Sequence, residues 1–212
     1  MAAVFEQISA QVVLRGVSWQ LYEQMTRELA DSHAAHLAFD KGILEIIMPS
    51  PRHEMPNRVL SDLVMALCVE CGMNARNVGS MTFKRAPLQG CEPDTAYYLQ
   101  NEPAIRGQSA IDLASDPPPD LVIEIDITHP SLDKLPIYAG LRVPEVWRYD
   151  GEQVIFYGLS GRHYQETKES RAFPFLSDLQ ATELLESGLR EDQAAWLRQV
   201  YRWARTQCSE TF

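Results

Sequence analysis

No apolar run in this 212-residue chain reaches the ~18 residues of a membrane-spanning helix, so no transmembrane segment is predicted. Met1 to Ala10 carry Glu6 and no basic cluster ahead of an apolar core. No signal peptide is expected there, which points to a cytoplasmic protein with no membrane partner. Basic residues are scarce: 19 Lys and Arg against 29 Asp and Glu leave a formal charge of −10. That argues against a general nucleic-acid coat, which needs clustered Lys and Arg for phosphate contacts, but leaves room for an enzyme with a local basic groove. Four cysteines in a chain this long do not make a disulfide framework. Cys68 and Cys71 have CxxC spacing inside an apolar helical pattern, with no second CxxC and no strand before a helix start. They are expected on one buried helix face rather than on zinc or in a redox motif. There is no internal repeat, low-complexity tract or domain linker, so residues 1–212 read as a single domain.

The chain does have two acidic motifs, Glu92-Pro93-Asp94 and Asp120-Leu121-Val122-Ile123-Glu124-Ile125-Asp126. In a strand, residues i and i+2 share a face. Asp120, Glu124 and Asp126 then lie on one side, with Leu121, Ile123, Ile125 and Ile127 on the other. Buried unpaired carboxylates are costly and normally shift their pKa, pair or bind a cation. Acids on so apolar a strand point to a divalent-metal site.

The remaining pattern supplies a frame for these motifs. Ser18 caps a predicted helix from Trp19 to about Ala30. Residues 35–39 and 43–48 flank Asp40-Lys41-Gly42 as a hairpin, with glycine supplying the positive φ. His53 to Cys71 is the clearest helix; Leu60, Leu63, Val64, Leu67 and Cys71 form its apolar stripe, and Gly72 stops it. Strands are predicted at 75–78, 81–85 and 94–99, then a loop that ends in the extended Asp116-Pro117-Pro118-Pro119. A turn at His129-Pro130-Ser131 leads to a short helix from Leu132 to about Ala139, capped by Ser131 and ended by Gly140. Strands at 145–149, 154–158 and 162–165 and helices at 182–187 and 191–206 complete the order. This order predicts an α/β (α+β) fold with a mixed sheet.

Pro51-Arg52-His53-Glu54, Glu92-Pro93-Asp94, Pro117-Pro118-Pro119-Asp120-Leu121-Val122-Ile123-Glu124, Asp133-Lys134 with Tyr138, and Val143-Pro144-Glu145-Val146-Trp147 occur in that order. Together they resemble the PD-(D/E)xK nuclease superfamily and, within it, the large bacterial family of putative restriction endonucleases. The resemblance runs from about Trp19 to Tyr164, and residues after about Thr182 lie outside it. It implies a restriction-endonuclease-like core at about 19–165, with a central mixed sheet flanked by helices; the helices at about 176–208 read as a C-terminal extension outside it. It also implies hydrolysis of DNA phosphodiesters with Mg²⁺, or Mn²⁺ as a substitute. Asp94 matches the first acid of the pattern and Glu124 the second. With the Ile125 carbonyl they make an oxygen ligand set suited to a hard cation. A homodimer is expected, since cutting two strands often uses paired sites and two-fold dimers are the commonest assemblies.

One position departs from the pattern. The superfamily carries lysine two residues after the second acid, where this chain has Asp126. Three readings are open: Lys134 reaches back from the following helix, as in superfamily members whose lysine has moved to a helix; Asp126 is itself a metal ligand; or the enzyme is inactive and the fold is a binding or assembly module. A metal-dependent hydrolase of another phosphoester is a further alternative. Glu54 fills the place of an extra acid on the first core helix, with Glu45 as its competitor. His53, Tyr138 and Trp147 read as structural residues, and Lys84, Arg85, Arg142 and Arg148 as solvated surface.

Overall fold

The structure, a computed structural model, describes residues 10–29, 35–48, 50–127 and 132–211. Its first half comprises β1 (Ala10–Arg15), α1 (Trp19–Glu28), β2 (His36–Asp40), β3 (Ile43–Met48), α2 (Pro51–Glu70), β4 (Arg76–Gly79), β5 (Phe83–Arg85), β6 (Gln89–Cys91) and β7 (Thr95–Tyr98). The second half comprises α3 (Glu102–Ile105), β8 (Leu121–Ile125), α4 (Leu135–Leu141), β9 (Glu145–Tyr149), β10 (Val154–Ser160), β11 (His163–Thr167), α5 (Asp178–Arg190) and α6 (Gln193–Thr211). A six-stranded mixed sheet runs β11-β10-β9-β8-β7-β4, with β8 and β9 parallel. A second sheet, β1-β3-β2-β6-β5, is antiparallel throughout. Among the described residues no helix is long and apolar enough to cross a membrane.

Local chemistry explains the elements that position the site. The Ser18 side chain accepts from Leu21 N and starts α1. Lys41 and Gly42 both have positive φ, 46° and 92°, and so turn β2 tightly into β3. On α2 the stripe of Leu60, Leu63, Val64 and Leu67 is fully buried. It packs with Leu121, Ile123 and Ile125 of β8 on one face of the mixed sheet. Val122 points the other way, into a second core with Tyr98, Ile137 and Tyr138. Strand β8 is thus buried on both faces, which is why its sequence is an almost unbroken apolar run.

The C-terminal helices belong to the main core. Ala181, Leu185, Trp196, Val200 and Ala204 share its apolar cluster with the stripe of α2. A Cβ at Gly188 would stand 2.5 Å from Val59 Cγ1 and 2.8 Å from Trp196 Cε2. Glycine there permits the close approach of α5 to α2 and α6. Cys71 forms a disulfide with Cys208 across α2 and α6, and of the CxxC pair only Cys68 is buried in the core. This corrects the expectation of two cysteines on one buried face: Cys71 caps the helix end, where the stripe has turned toward α6.

Three elements are absent from the sequence-based expectations: β1, the three-residue β6 and the one-turn α3. The turn at His129–Ser131, with the Ser131 cap, lies outside the described residues. Helix α4 passes through Gly140 and stops at Arg142, whose φ of 68° ends it.

Candidate active site

The antiparallel pairing of β7 with β8 sets Thr95 opposite Ile123. One step further along that register, Asp94 faces Glu124, and opposite residues project from the same side of a sheet. Asp94 is buried, at 4% exposure, and its carboxylate accepts from three directions. The Ile125 backbone N donates to Oδ2 at 2.7 Å, His53 Nε2 lies 3.2 Å from Oδ2, and His36 Nδ1 lies 3.2 Å from Oδ1. His53 opens α2, and Asn57, four residues on and hence on the same helical face, donates from Nδ2 to the Asp94 carbonyl at 3.3 Å. The helix start therefore grips both ends of Asp94.

Glu124 is held from α4. Lys134 Nζ stands 2.7 Å from its Oε2, and the Tyr138 hydroxyl bonds its Oε1. Lys134 and Tyr138 lie four residues apart at the start of one helix, so both reach the same carboxylate. The electrostatics follow from these contacts. Burial alone would raise the Asp94 pKa, but hydrogen bonds from His36 and His53 and the charge of Lys134 hold it well below the usual carboxylate range. Burial raises that of Glu124 and the neighbouring Asp94 adds to the rise; Lys134 opposes both without cancelling them. Burial would lower the Lys134 pKa, yet Glu124 and Asp94 together lift it above the ordinary lysine value. The ammonium stays charged between two acids.

The cluster opens into a cleft of about 150 Å³ lined by His53, Glu124, Asp126, Lys134, Tyr138 and Arg148, among others. Asp126 is half-buried on its wall. Its pKa is raised by burial first, against the pull of Lys134 and Arg148, with Asp94 and Glu45 adding to the rise. Arg148 pairs across from Glu124 in the parallel register of β8 and β9.

The other sequence-predicted residues go elsewhere. Glu54 is not brought to the cluster. It sits 40% exposed, 3.7 Å from Arg58, because the helix turns it outward where His53 turns in. Glu45 is fully buried on β3, where its Oε1 accepts from Gln11 Nε2 at 2.6 Å and from Leu132 N at 3.2 Å. Asp120 accepts from Leu99 N, Asn101 N and Asn101 Nδ2, and so fixes the loop after β7. Glu92 accepts from Leu37 N and Thr82 Oγ1. Glu145 accepts from Trp147 Nε1, Arg171 N and Ala172 N. These last three acids are structural. Burial pushes the Cys91 thiol up to about 12, so it is no nucleophile.

Among the described residues no three His, Cys, Asp or Glu side chains gather into a ready-made metal group. The donor chemistry nevertheless suits a hard cation. An ionised carboxylate offers about four lone-pair sites. Asp94 uses three in the contacts above and Glu124 two, so both acids keep oxygen sites for a cation that prefers carboxylate and water.

Residues 19–195 match the model of a family described as "Uma2: Putative restriction endonuclease". The match extends beyond the region of resemblance, through α5 and into α6, in step with the place of these helices in the core. A solved structure described as a putative nuclease belonging to DUF820, from Anabaena variabilis ATCC 29413, is similar at 15% identity. That likeness covers 80% of this chain and 99% of the other, with a TM-score of 0.49. No curated protein matches the sequence.

Proposed function

The chain belongs to the Uma2 family of putative restriction endonucleases, and from that membership and the cluster geometry we propose a metal-dependent endonuclease acting on DNA. Family membership makes the function nuclease-like and the substrate a nucleic acid. The observation that carries the finer reading is the 2.7 Å contact of Lys134 Nζ with Glu124 Oε2. It supplies from α4 the cation that the superfamily strand carries where this chain has Asp126.

Asp94 and Glu124 are the residues that would hold Mg²⁺ or Mn²⁺, with the Ile125 carbonyl as a third oxygen. When bound, such an ion lowers the pKa of a coordinated water and neutralises phosphoryl charge. His36 and His53 orient Asp94 and keep it ionised, and Tyr138 fixes the rotamer of Glu124. Lys134 offers its ammonium to the charge that develops on the attacked phosphate. Because the cluster is buried, that interaction is screened less than it would be in water. A homodimer belongs to this proposal and is checked by sedimentation.

The test is Mn²⁺-dependent cleavage of plasmid and single-stranded DNA. Loss of cleavage in both Glu124→Ala and Lys134→Ala is expected. Loss in Glu124→Ala alone keeps the acid site and removes Lys134 from the chemistry. A second reading, a catalytically inactive binding or assembly module, is favoured by one observation: Asp94 and Glu124 already have His36, His53 and Lys134 as partners. A folded wild type that cleaves neither DNA nor another phosphoester with metal would establish that reading instead.

A further inference from the structure

Beside the acid cluster runs a wider groove of about 790 Å³. Its walls come from three separate turns: Lys41 at the β2–β3 hairpin, Arg142 at the end of α4, and Arg162 with His163 at the β10–β11 turn. Arg85 of β5 joins them, its Nη1 tied to the Gly140 carbonyl at 2.7 Å. Four cations therefore face one carboxylate, Asp133, in a chain whose formal charge is −10. Lys41, Arg142 and Arg162 form no ion pair among the described residues. Lys41 and Arg142 are also the only non-glycine residues with positive φ among those described, at 46° and 68°. Glycine fits such a backbone more cheaply. At both positions the chain instead carries a long cation, and both cations point into the same groove. Asp133 and Leu135 line this groove and the acid cleft alike, so the two lie side by side.

We infer that this groove is the track for the phosphodiester backbone of a nucleic acid, leading it to Glu124 and Lys134. The inference rests on the nuclease reading for its ligand class. A group of cations without ion pairs, in a groove beside the acid cleft, suits a polyanion whose next phosphate is to enter that cleft. It also resolves the mismatch between an acidic chain and an anionic substrate: the positive field is local.

The experiment measures binding of fluorescein-labelled duplex DNA, single-stranded DNA and RNA of one sequence by anisotropy, in EDTA, over a range of salt. The wild type is compared with the combined Lys41→Gly, Arg142→Gly, Arg162→Gln variant. The two glycines preserve the left-handed backbone, and circular dichroism verifies the fold. On duplex DNA the slope of log affinity against log salt is expected to fall by about 0.9 for each cation removed, and on single strands by about 0.7. Four groove contacts weaken duplex binding about 150-fold between about 50 and 200 mM salt, whereas the one contact left in the variant weakens it only about 3.5-fold. The nucleic acid bound most tightly by the wild type at one salt concentration, with its slope lowered in the variant, is the one the groove takes. An unchanged slope, or no wild-type binding at low salt, overturns the groove. Mn²⁺-dependent cleavage of the same DNA, measured in parallel, separates this from the nuclease reading. A wild type that binds through these cations but never cleaves with Mn²⁺ leaves the groove standing and removes the nuclease. One whose cleavage has the same KM after the triple substitution does the reverse.

Discussion

The sharpest consequence of the site is energetic coupling between Lys134 and Glu124. Their charged atoms lie 2.7 Å apart, with side-chain exposures of 14% and 8%. At an effective dielectric of about 20, unit charges about 3 Å apart attract by about 5–6 kcal/mol, much of it offset by the desolvation of both ions. Removing one partner strands the other, at about 3–5 kcal/mol. Lys134→Met takes the counter-charge from Glu124 and also from Asp94, and belongs at the upper end of that range. Glu124→Gln should cost less, because Asp94 still attracts the ammonium. The double variant removes both charges, so its cost should fall below the sum of the single costs by about 2–3 kcal/mol. Urea unfolding at constant pH, followed by far-UV circular dichroism, measures all four corners of the cycle. Additive single effects would refute the pairing and, with it, the substitution of Lys134 for the strand lysine.

Three further outcomes follow from the same structure. Mn²⁺ at about 100 times its Kd should stabilise the fold by about 2.7 kcal/mol, and Asp94→Ala should abolish the rise; thermal melts against metal concentration read both. Glu145→Gln turns an amide N–H₂ toward backbone donors and should destabilise by about 1–3 kcal/mol. Burial raises the Glu145 pKa even against its hydrogen bonds from Ala172, Trp147 and Arg171, so its contribution is complete below the unfolded carboxyl range and declines as pH rises through the folded value. The gap between wild type and variant should therefore be widest in acid, and unfolding at stepped pH checks it. The disulfide of Cys71 with Cys208 closes a separation of 137 residues. Cys208→Ser should cost about 2–4 kcal/mol in oxidising buffer and nothing after reduction of the wild type, as denaturant midpoints will show.

The elements legible in the sequence are those whose signals are local. Ser18, the Lys41-Gly42 turn, the α2 stripe and the β8 run each set their own conformation through a cap, a turn residue or a period. The missed elements depend on distant partners. Strand β1 exists through its pairing with β3, and β6 holds only three residues between β2 and β5. The C-terminal helices read as an extension because amphipathicity shows that a face is buried without showing against what. Gly188 was the available clue, since a glycine inside a helix costs about 1 kcal/mol relative to alanine unless something packs closely there.

The same division runs through the candidate site. The motifs that hold Asp94 and Glu124 stood out because acids beside apolar strands break a local rule, and the resemblance then matched the two acids to the family pattern. His36 was not, since it approaches Asp94 from a strand 58 positions away and nothing near it in sequence announces that partner. His53 and Glu54 are adjacent, and the choice between them turned on which side of α2 faces the sheet. Asn57 did not settle it in advance, because it stands three residues from Glu54 and four from His53, and both spacings share a helical face. Tyr138 stands four residues after Lys134, so a helix that delivers one to Glu124 delivers the other. That spacing also bears on the departure at Asp126. A strand residue two places after Glu124 and a helix residue ten places after it can bring a cation to the same carboxylate, but the helix brings a hydroxyl with it. If that second donor is what keeps Glu124 oriented, Tyr138→Phe should lower kcat with Lys134 intact. Rescue of kcat by Tyr138→His, another ring with a polar edge, would separate a positioning hydrogen bond from simple packing.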